Sequence, residues 1–349
     1  MGNFLERFIT VPRAIDQLSS FVLMLAEAYA RGIERDGNAM SHASAAMPGQ
    51  SLKGLDGTTL GLYAATVFLW GVSWIGIRAQ LGVVAPEMSV LWRFVLAALC
   101  TWGWALVAGM RLRFSLADHL RFMAVGVCLF SFNFICFYYG GLTVPSGLLS
   151  VVFSLASIFN LVLGFVIFRQ RVEARVALGG CLGAVGIVLL FWPEITGAGF
   201  NLAALKGLGL CVLGTLFFCS GNMTSTVVQR RGIPLISANA WAMTYGVVVL
   251  LVLNLVRGND FIVEPTATYL GALVYLAVGA SVFAFASYLT LLRRLGAARA
   301  GYATVLFPII ALAVSTLVEG YVWTPLAAIG VVLALAGNVL VLRRPAARA

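Results

Sequence analysis

The stretch RAGYATVLFPIIALAVSTLVEG, residues 299–320, decides how this chain is read. Between Arg299 and Glu319 it carries no charge. A helix of about 20 residues covers roughly 30 Å, the hydrocarbon thickness of a bilayer. In lipid every backbone polar group must be satisfied inside the protein, so such a segment is expected to be helical. Yet Pro308 sits near its middle, where it removes one backbone hydrogen bond and presses on the preceding turn. A membrane helix accepts that break where the freed carbonyl meets a hydroxyl or a cavity, so this segment is expected to bend toward an interior.

The rest of the chain is of the same kind. Of its 349 residues 61% are hydrophobic and only 10% charged, against roughly 25% charge in a soluble domain. An integral membrane protein follows from composition alone. The six cysteines lie in apolar runs without metal-ligand spacing, and there are two histidines, His42 and His119. They read as buried small hydrophobes, with no disulfide framework and no metal site. Nothing calls for a cofactor.

Ten apolar runs of spanning length stand at about 58–78, 87–108, 120–140, 144–168, 174–192, 205–228, 237–257, 267–291, 299–319 and 324–342. With a cytoplasmic N-terminus, 19 of the 23 basic residues fall in inside segments. Arg78, Lys206 and Arg257 are left at outer ends, and Arg93 lies within span two. The positive-inside rule therefore places both termini in the cytoplasm. The net charge of +10 is accounted for by this topology, and nucleic acid is not expected as a partner. Residues 1–57 are an extension: an amphipathic segment, then a flexible linker, NAMSHASAAMPGQSLKG. The segment reads either as an interfacial helix or as extra sequence from an upstream start codon, and no chemistry is assigned to it.

The second half echoes the first. SGLLSVVFS (146–154) matches AGYATVLFP (300–308) at an offset of 154, aligning Gly147 with Gly301 and Ser154 with Pro308. GGCLGAVG (179–186) resembles GVVLALAG (330–337), aligning Gly179 with Gly330 and Gly186 with Gly337. Five spans per half is an odd number, so the repeats at 58–192 and 205–344 insert with opposite orientation. The fold expected is all-α, ten transmembrane helices in two inverted five-helix repeats. Inverted repeats mark secondary transporters, whose solute site lies near the midplane between the halves. Phe153–Ser154 and Phe307–Pro308 are read as the cavity-facing bends of spans four and nine.

Three motifs carry a family resemblance: FLWGVSWIGIRA (68–79), LWRFVLAAL (91–99) and, most specifically, YATVLFPIIALAVSTLVEGYVWTPLAAIGVVLALAGNVLVL (302–342). With them the chain, from about 58 to 344, resembles the EamA-type branch of the drug/metabolite transporter superfamily. The resemblance implies a ten-helix bacterial inner-membrane carrier that exports amino acids or related small metabolites. Many members carry a Glu-Arg pair just after span four; Gln170–Arg171 stands there instead, which puts an ion pair at that edge in doubt.

Polar side chains inside a bilayer are costly, so each is a candidate. Trp70 and Trp74, four residues apart on one face of span one, would form an aromatic wall for the solute; lipid-facing or core aromatics are the plain alternative. Arg93 would neutralise a solute carboxylate, or else snorkel outward or pair with a carbonyl or Glu87. Asn133 and Tyr138 in span three, Asn160 and Ser154 in span four, Ser220 and Asn222 in span six, Tyr245 in span seven, Ser281 and Tyr288 in span eight and Tyr302 in span nine offer hydrogen bonds. For each, a tie between helices competes with solute contact. No Asp or Glu lies in the middle of any span, so proton coupling has no evident relay. Glu319 is the remaining coupling candidate, though a helix-end contact suits it equally.

The function expected is a secondary carrier working by alternating access, its cavity framed by spans one, three, four, six, eight and nine. Its partners would be a small solute and the lipid bilayer, with a homodimer left open. Drug, nucleobase or nucleotide-sugar transport is the alternative within this class. Arg93 as the single intramembrane cation speaks against a nucleotide sugar. A lipid-modifying membrane enzyme has only Asp118–His119 to offer as a reactive pair.

Overall fold

The computed structural model describes residues 57–168, 174–196, 201–295 and 303–342. The N-terminal extension, Gln170–Arg171 and Tyr302 lie outside the described residues. Of the described residues, 57–162 and 174–342 belong to one compact unit, which holds the whole site described below.

Among the described residues all regular secondary structure is helical, and the helices fall on the apolar runs of the sequence. They are α1 (Gly57–Ala79), α2 (Pro86–Val107), α3 (Leu116–Gly140), α4 in two pieces (Ser146–Ser154 and Ala156–Phe168) and α5 (Ala174–Thr196). There follow α6 (Leu202–Arg230), α7 (Leu235–Arg257), α8 in three pieces (Ala267–Val274, Tyr275–Phe283 and Ala284–Leu295), α9 (Ala303–Val318) and α10 (Pro325–Leu342). Seven of the helices are long and apolar enough to cross a membrane, while Ser146–Asn160, Ala303–Val318 and Pro325–Val341 are shorter apolar helices. The molecule is a multi-pass membrane protein.

Local chemistry sets several helix starts. Pro86 opens α2, where its missing N–H costs nothing. Ser115, Asn201 and Thr266 each accept a backbone amide from the first turn of α3, α6 and α8. Gly258 ends α7 in the left-handed conformation that a side chain would oppose.

The helices interlock in pairs. α1 packs on α8 and α9, α3 on α6 and α7, α2 on α7 and α8, α4 on α6 and α9, and α5 on α10. The α5–α10 contact is made by glycines. A Cβ on Gly186 would stand 2.6 Å from the Gly330 carbonyl oxygen, and one on Gly337 would stand 2.5 Å from that of Gly179. These two helices touch backbone to backbone, as membrane helices do when small residues line the seam.

Two helices widen into π-turns at matching places, Cys128–Phe132 in α3 and Tyr275–Phe283 in α8. In each a serine hydroxyl donates five residues back, Ser131 to the Gly126 carbonyl at 2.9 Å and Ser281 to the Leu276 carbonyl at 2.9 Å. Such bulges recur at functional sites.

The two expected bends come out differently. α4 breaks at Leu155, directly after Ser154. Asn338 of α10 donates to the Ser154 hydroxyl at 2.9 Å and accepts a hydrogen bond from Ser157, pinning both sides of the break. α9 runs helical through Pro308. There the facing helix presents Gly71, whose Cβ would stand 2.6 Å from Ile310 Cβ and 3.2 Å from the Phe307 carbonyl oxygen. The proline turn is covered by protein, and Phe307 and Pro308 are both buried.

Candidate functional site

The centre of the bundle is aromatic. Trp74 packs against Phe137 at 5.1 Å, Phe153 at 5.5 Å and Phe307 at 6.3 Å between ring centroids. One turn earlier, Trp70 packs against Tyr288 at 5.1 Å, Phe285 at 5.5 Å and Phe307 at 6.3 Å. Phe153 adds Phe218 at 4.4 Å. These rings come from α1, α3, α4, α6, α8 and α9, so one cluster joins six helices drawn from both halves of the chain. Such pairs add about 0.5–1.5 kcal/mol each beyond area burial. The indole N–H of Trp70 is held by the Ala280 carbonyl at 3.2 Å, which fixes the ring rather than leaving it to rotate.

Several of these rings are only half-buried despite their contacts, among them Trp70, Phe153, Phe218, Phe285 and Tyr288. Asn222 lies one turn beyond Phe218 on the same face of α6. It is half-buried, and its side chain makes no hydrogen bond within the described residues, nor does the Tyr288 hydroxyl. The region therefore combines apolar ring faces with an amide and a hydroxyl that no described residue engages.

A polar cluster adjoins the aromatic one. Arg93 of α2 is 3% exposed, and its Nε and Nη2 donate to the Ser281 hydroxyl of α8 at 3.2 and 3.1 Å. Its guanidinium carbon lies 4.2 Å from the Phe134 ring centroid. Ser281 follows Ala280, the partner of Trp70, so the cation stands one residue from the aromatic wall. Tyr138 is fully buried and donates to the Gln80 side-chain carbonyl at 2.6 Å. Arg93 neither snorkels nor pairs with Glu87, whose carboxylate is taken by Arg257 and, at 2.9 Å, by the Tyr139 hydroxyl.

Other expected residues are tied to protein. Asn133 donates to the Gly214 carbonyl at 2.9 Å, linking α3 to α6. Ser154 donates to the Val151 carbonyl at 2.6 Å and receives Asn338, so it faces α10. Glu319 accepts the Ser146 amide at 3.0 Å, the Ser146 hydroxyl at 2.5 Å and the Ser315 hydroxyl at 2.6 Å, with Arg78 at 3.6 Å. It holds the ends of α1, α4 and α9 together. At the opposite end Asp118 pairs with Arg121 and Arg231, each at 3.1 Å; a carboxylate so engaged is not a free general base.

Sequence reasoning singled out Trp70, Trp74 and Tyr288 in the aromatic cluster and Arg93 and Tyr138 in the polar one. It passed over Gln80, Phe137, Phe218, Phe285 and Asn338. Asn338 is the one polar side chain among eighteen residues of α10, and the rule that selected Asn133 would have found it. The phenylalanines carry no such signal, since 23 are spread along the chain.

The chain is thus a bundle of apolar helices around an aromatic centre, and comparison with known proteins supplies its class. The sequence pattern of the EamA-like transporter family matches residues 58–192 and again 205–343, so the chain belongs to this family. It is a transporter and not an enzyme. Similar relatives include a protein named as a probable amino-acid metabolite efflux pump in Salmonella typhimurium, 24% identical over 78% of this chain and 90% of the relative. One of the same name in Escherichia coli K12 is also 24% identical, over 78% and 90%. YedA of Escherichia coli K12, named as an uncharacterized inner membrane transporter, is 26% identical over 73% and 81%. A solved crystal structure superposes with a TM-score of 0.60 over 81% of this chain and 95% of the other, at 15% identity, a likeness of fold alone.

Proposed function

We propose that this protein is a secondary carrier that exports a small metabolite, an amino acid or related compound, across the bacterial inner membrane by alternating access. The observation that carries this is the Trp70–Trp74–Phe153–Phe307 cluster, which joins the core helices of both halves around one centre. The names of the efflux-pump relatives add the direction and the solute class.

The architecture behind it is ten membrane-spanning helices in two inverted repeats, 58–192 and 205–344, with both termini cytoplasmic. Exchanging α1–α5 for α6–α10 carries the main helix pairings into one another: α1·α9 becomes α6·α4, α3·α6 becomes α8·α1, and α3·α7 becomes α8·α2. The pairings α2·α7, α4·α9 and α5·α10 map onto themselves. Gly179 and Gly330 correspond in the sequence repeat, as do Gly186 and Gly337; their contacts run crosswise, Gly179 to Gly337 and Gly186 to Gly330. Crosswise contact is what a two-fold axis between α5 and α10 requires. The matched π-turns with Ser131 and Ser281 support the same relation.

Transport then follows from rocking of the two halves about a solute held at the centre. Trp70 and Trp74 cover its apolar part, Asn222 and Tyr288 supply hydrogen-bonding groups that no described residue engages, and Arg93 and Tyr138 lie to one side. Asn133, Ser154 and Pro308 shape the helices that frame the chamber. The test is transport by proteoliposomes loaded with a labelled panel of amino acids, nucleobases and cationic drugs, with and without a pH gradient. Efflux or exchange of an amino acid that Trp74→Ala and Asn222→Ala abolish in folded protein is expected. Transport unchanged in both variants would move the chamber elsewhere.

A further inference from the structure

We infer that Arg93, Gln80 and Tyr138 form an acceptor-seeking subsite that takes the carboxylate of the transported solute; this rests on the carrier function proposed above.

The inference begins with charge. Arginine remains protonated in any protein environment, and an ion taken out of water is strongly penalised unless an opposite charge or full hydrogen bonding compensates. Arg93 is almost completely buried, yet no carboxylate pairs with it among the described residues. Ser281 satisfies two of its nitrogens and the Phe134 face partly stabilises the cation. The third nitrogen, Nη1, has no partner.

A second buried donor is unsatisfied in the same cluster. Gln80 is 1% exposed; its side-chain carbonyl receives Tyr138, while its amide nitrogen has no acceptor. The Tyr138 hydroxyl connects the two: it donates to the Gln80 side-chain carbonyl and its oxygen stands within hydrogen-bonding reach of the Arg93 guanidinium. Buried polar groups are hydrogen-bonded in the large majority of cases. Two buried donors on either side of one tyrosine, with a net positive charge and no carboxylate partner among the described residues, define a place for an anionic acceptor. A carboxylate fits, having two oxygens, each with lone pairs for N–H donors.

The neighbourhood fits a solute rather than a lone ion. Ser281 adjoins Ala280, the carbonyl that fixes Trp70. Phe94, the residue after Arg93, leads through Phe130 at 5.5 Å and Phe285 at 6.3 Å to the Trp70 ring. A continuous chain of packed rings thus couples the Arg93 cluster to the aromatic wall. In the described conformation Nη1 is closed off from solvent, so the carboxylate enters as the halves move and is enclosed when they close.

The test uses purified full-length protein in detergent, with thermal unfolding followed as L-phenylalanine, L-phenylalaninamide, acetate or chloride is titrated. A saturable rise in melting temperature with L-phenylalanine, at least tenfold weaker with the amide and absent in Arg93→Gln, is expected. Chloride acting as strongly as L-phenylalanine, or an unchanged titration in Arg93→Gln, would overturn the assignment. Should Arg93→Gln fail to fold, Arg93→Lys serves: it keeps the charge but loses the fork, and at least a tenfold weaker response is expected. An equal response overturns the subsite. In proteoliposomes, loss of carboxylate solutes with retained movement of the amide identifies the subsite within a working carrier. If wild-type vesicles move no solute of the panel while the anion titration holds, it is the carrier function that fails.

Discussion

The carboxylate of Glu319, at the end of α9, sits on the buried N-terminus of α4, accepting the backbone amide of Ser146 at 3.0 Å and its hydroxyl at 2.5 Å. A carboxylate there satisfies an orphan amide and opposes the positive end of the helix dipole. Because α4 belongs to the first half of the chain and α9 to the second, the contact is a latch between them, and Arg78 at 3.6 Å tightens it.

Glu319→Gln keeps the shape and removes the charge. Losing the ionic cap and the Arg78 pair should cost about 1–2 kcal/mol, seen as a lower melting temperature in detergent. If opening at this end limits turnover, exchange in proteoliposomes should become faster while chemical selectivity stays the same.

No carboxylate lies in the middle of a span, and Glu319 is held by three hydrogen bonds and an arginine. A pH gradient across proteoliposomes should therefore drive no accumulation of an amino acid. Uphill accumulation that Glu319→Gln abolishes would make this residue the coupling group.

Gly186→Val places side-chain atoms where the backbone of α10 already lies, since even a Cβ would stand 2.5 Å from the Ala334 nitrogen. Overpacking of this kind costs about 1–3 kcal/mol or more. Loss of a monodisperse peak in size-exclusion chromatography is expected. Gly209→Val, at a position where a Cβ meets nothing within 4 Å, should be tolerated.

Asn338→Leu removes the pin at the break of α4 and leaves Ser154 and Ser157 without their partner on α10. The expected destabilisation is about 1–3 kcal/mol. If the break is a working hinge, transport should slow more than stability alone explains, measured as initial rate per folded molecule.

What the amino-acid order determined by itself is the set of helices, because spanning length and freedom from charge are local properties of a segment. The apolar run around Pro308, the basic loops and the offset of 154 between the halves are all readable along one line of residues. Trp70 and Trp74 were legible as a pair because the helix period puts them on one face. The partners of these residues were not legible. Nothing local says that Phe218 meets Phe153, that Gln80 turns inward to Tyr138, or that Arg93 finds Ser281 instead of Glu87. Those choices arise where helices far apart in sequence pack together, and the free energy of a buried polar group depends on which neighbours that packing supplies. Only the tertiary structure decides that α4 breaks while α9 continues through its proline, because Asn338 and Gly71 reach these points from other helices.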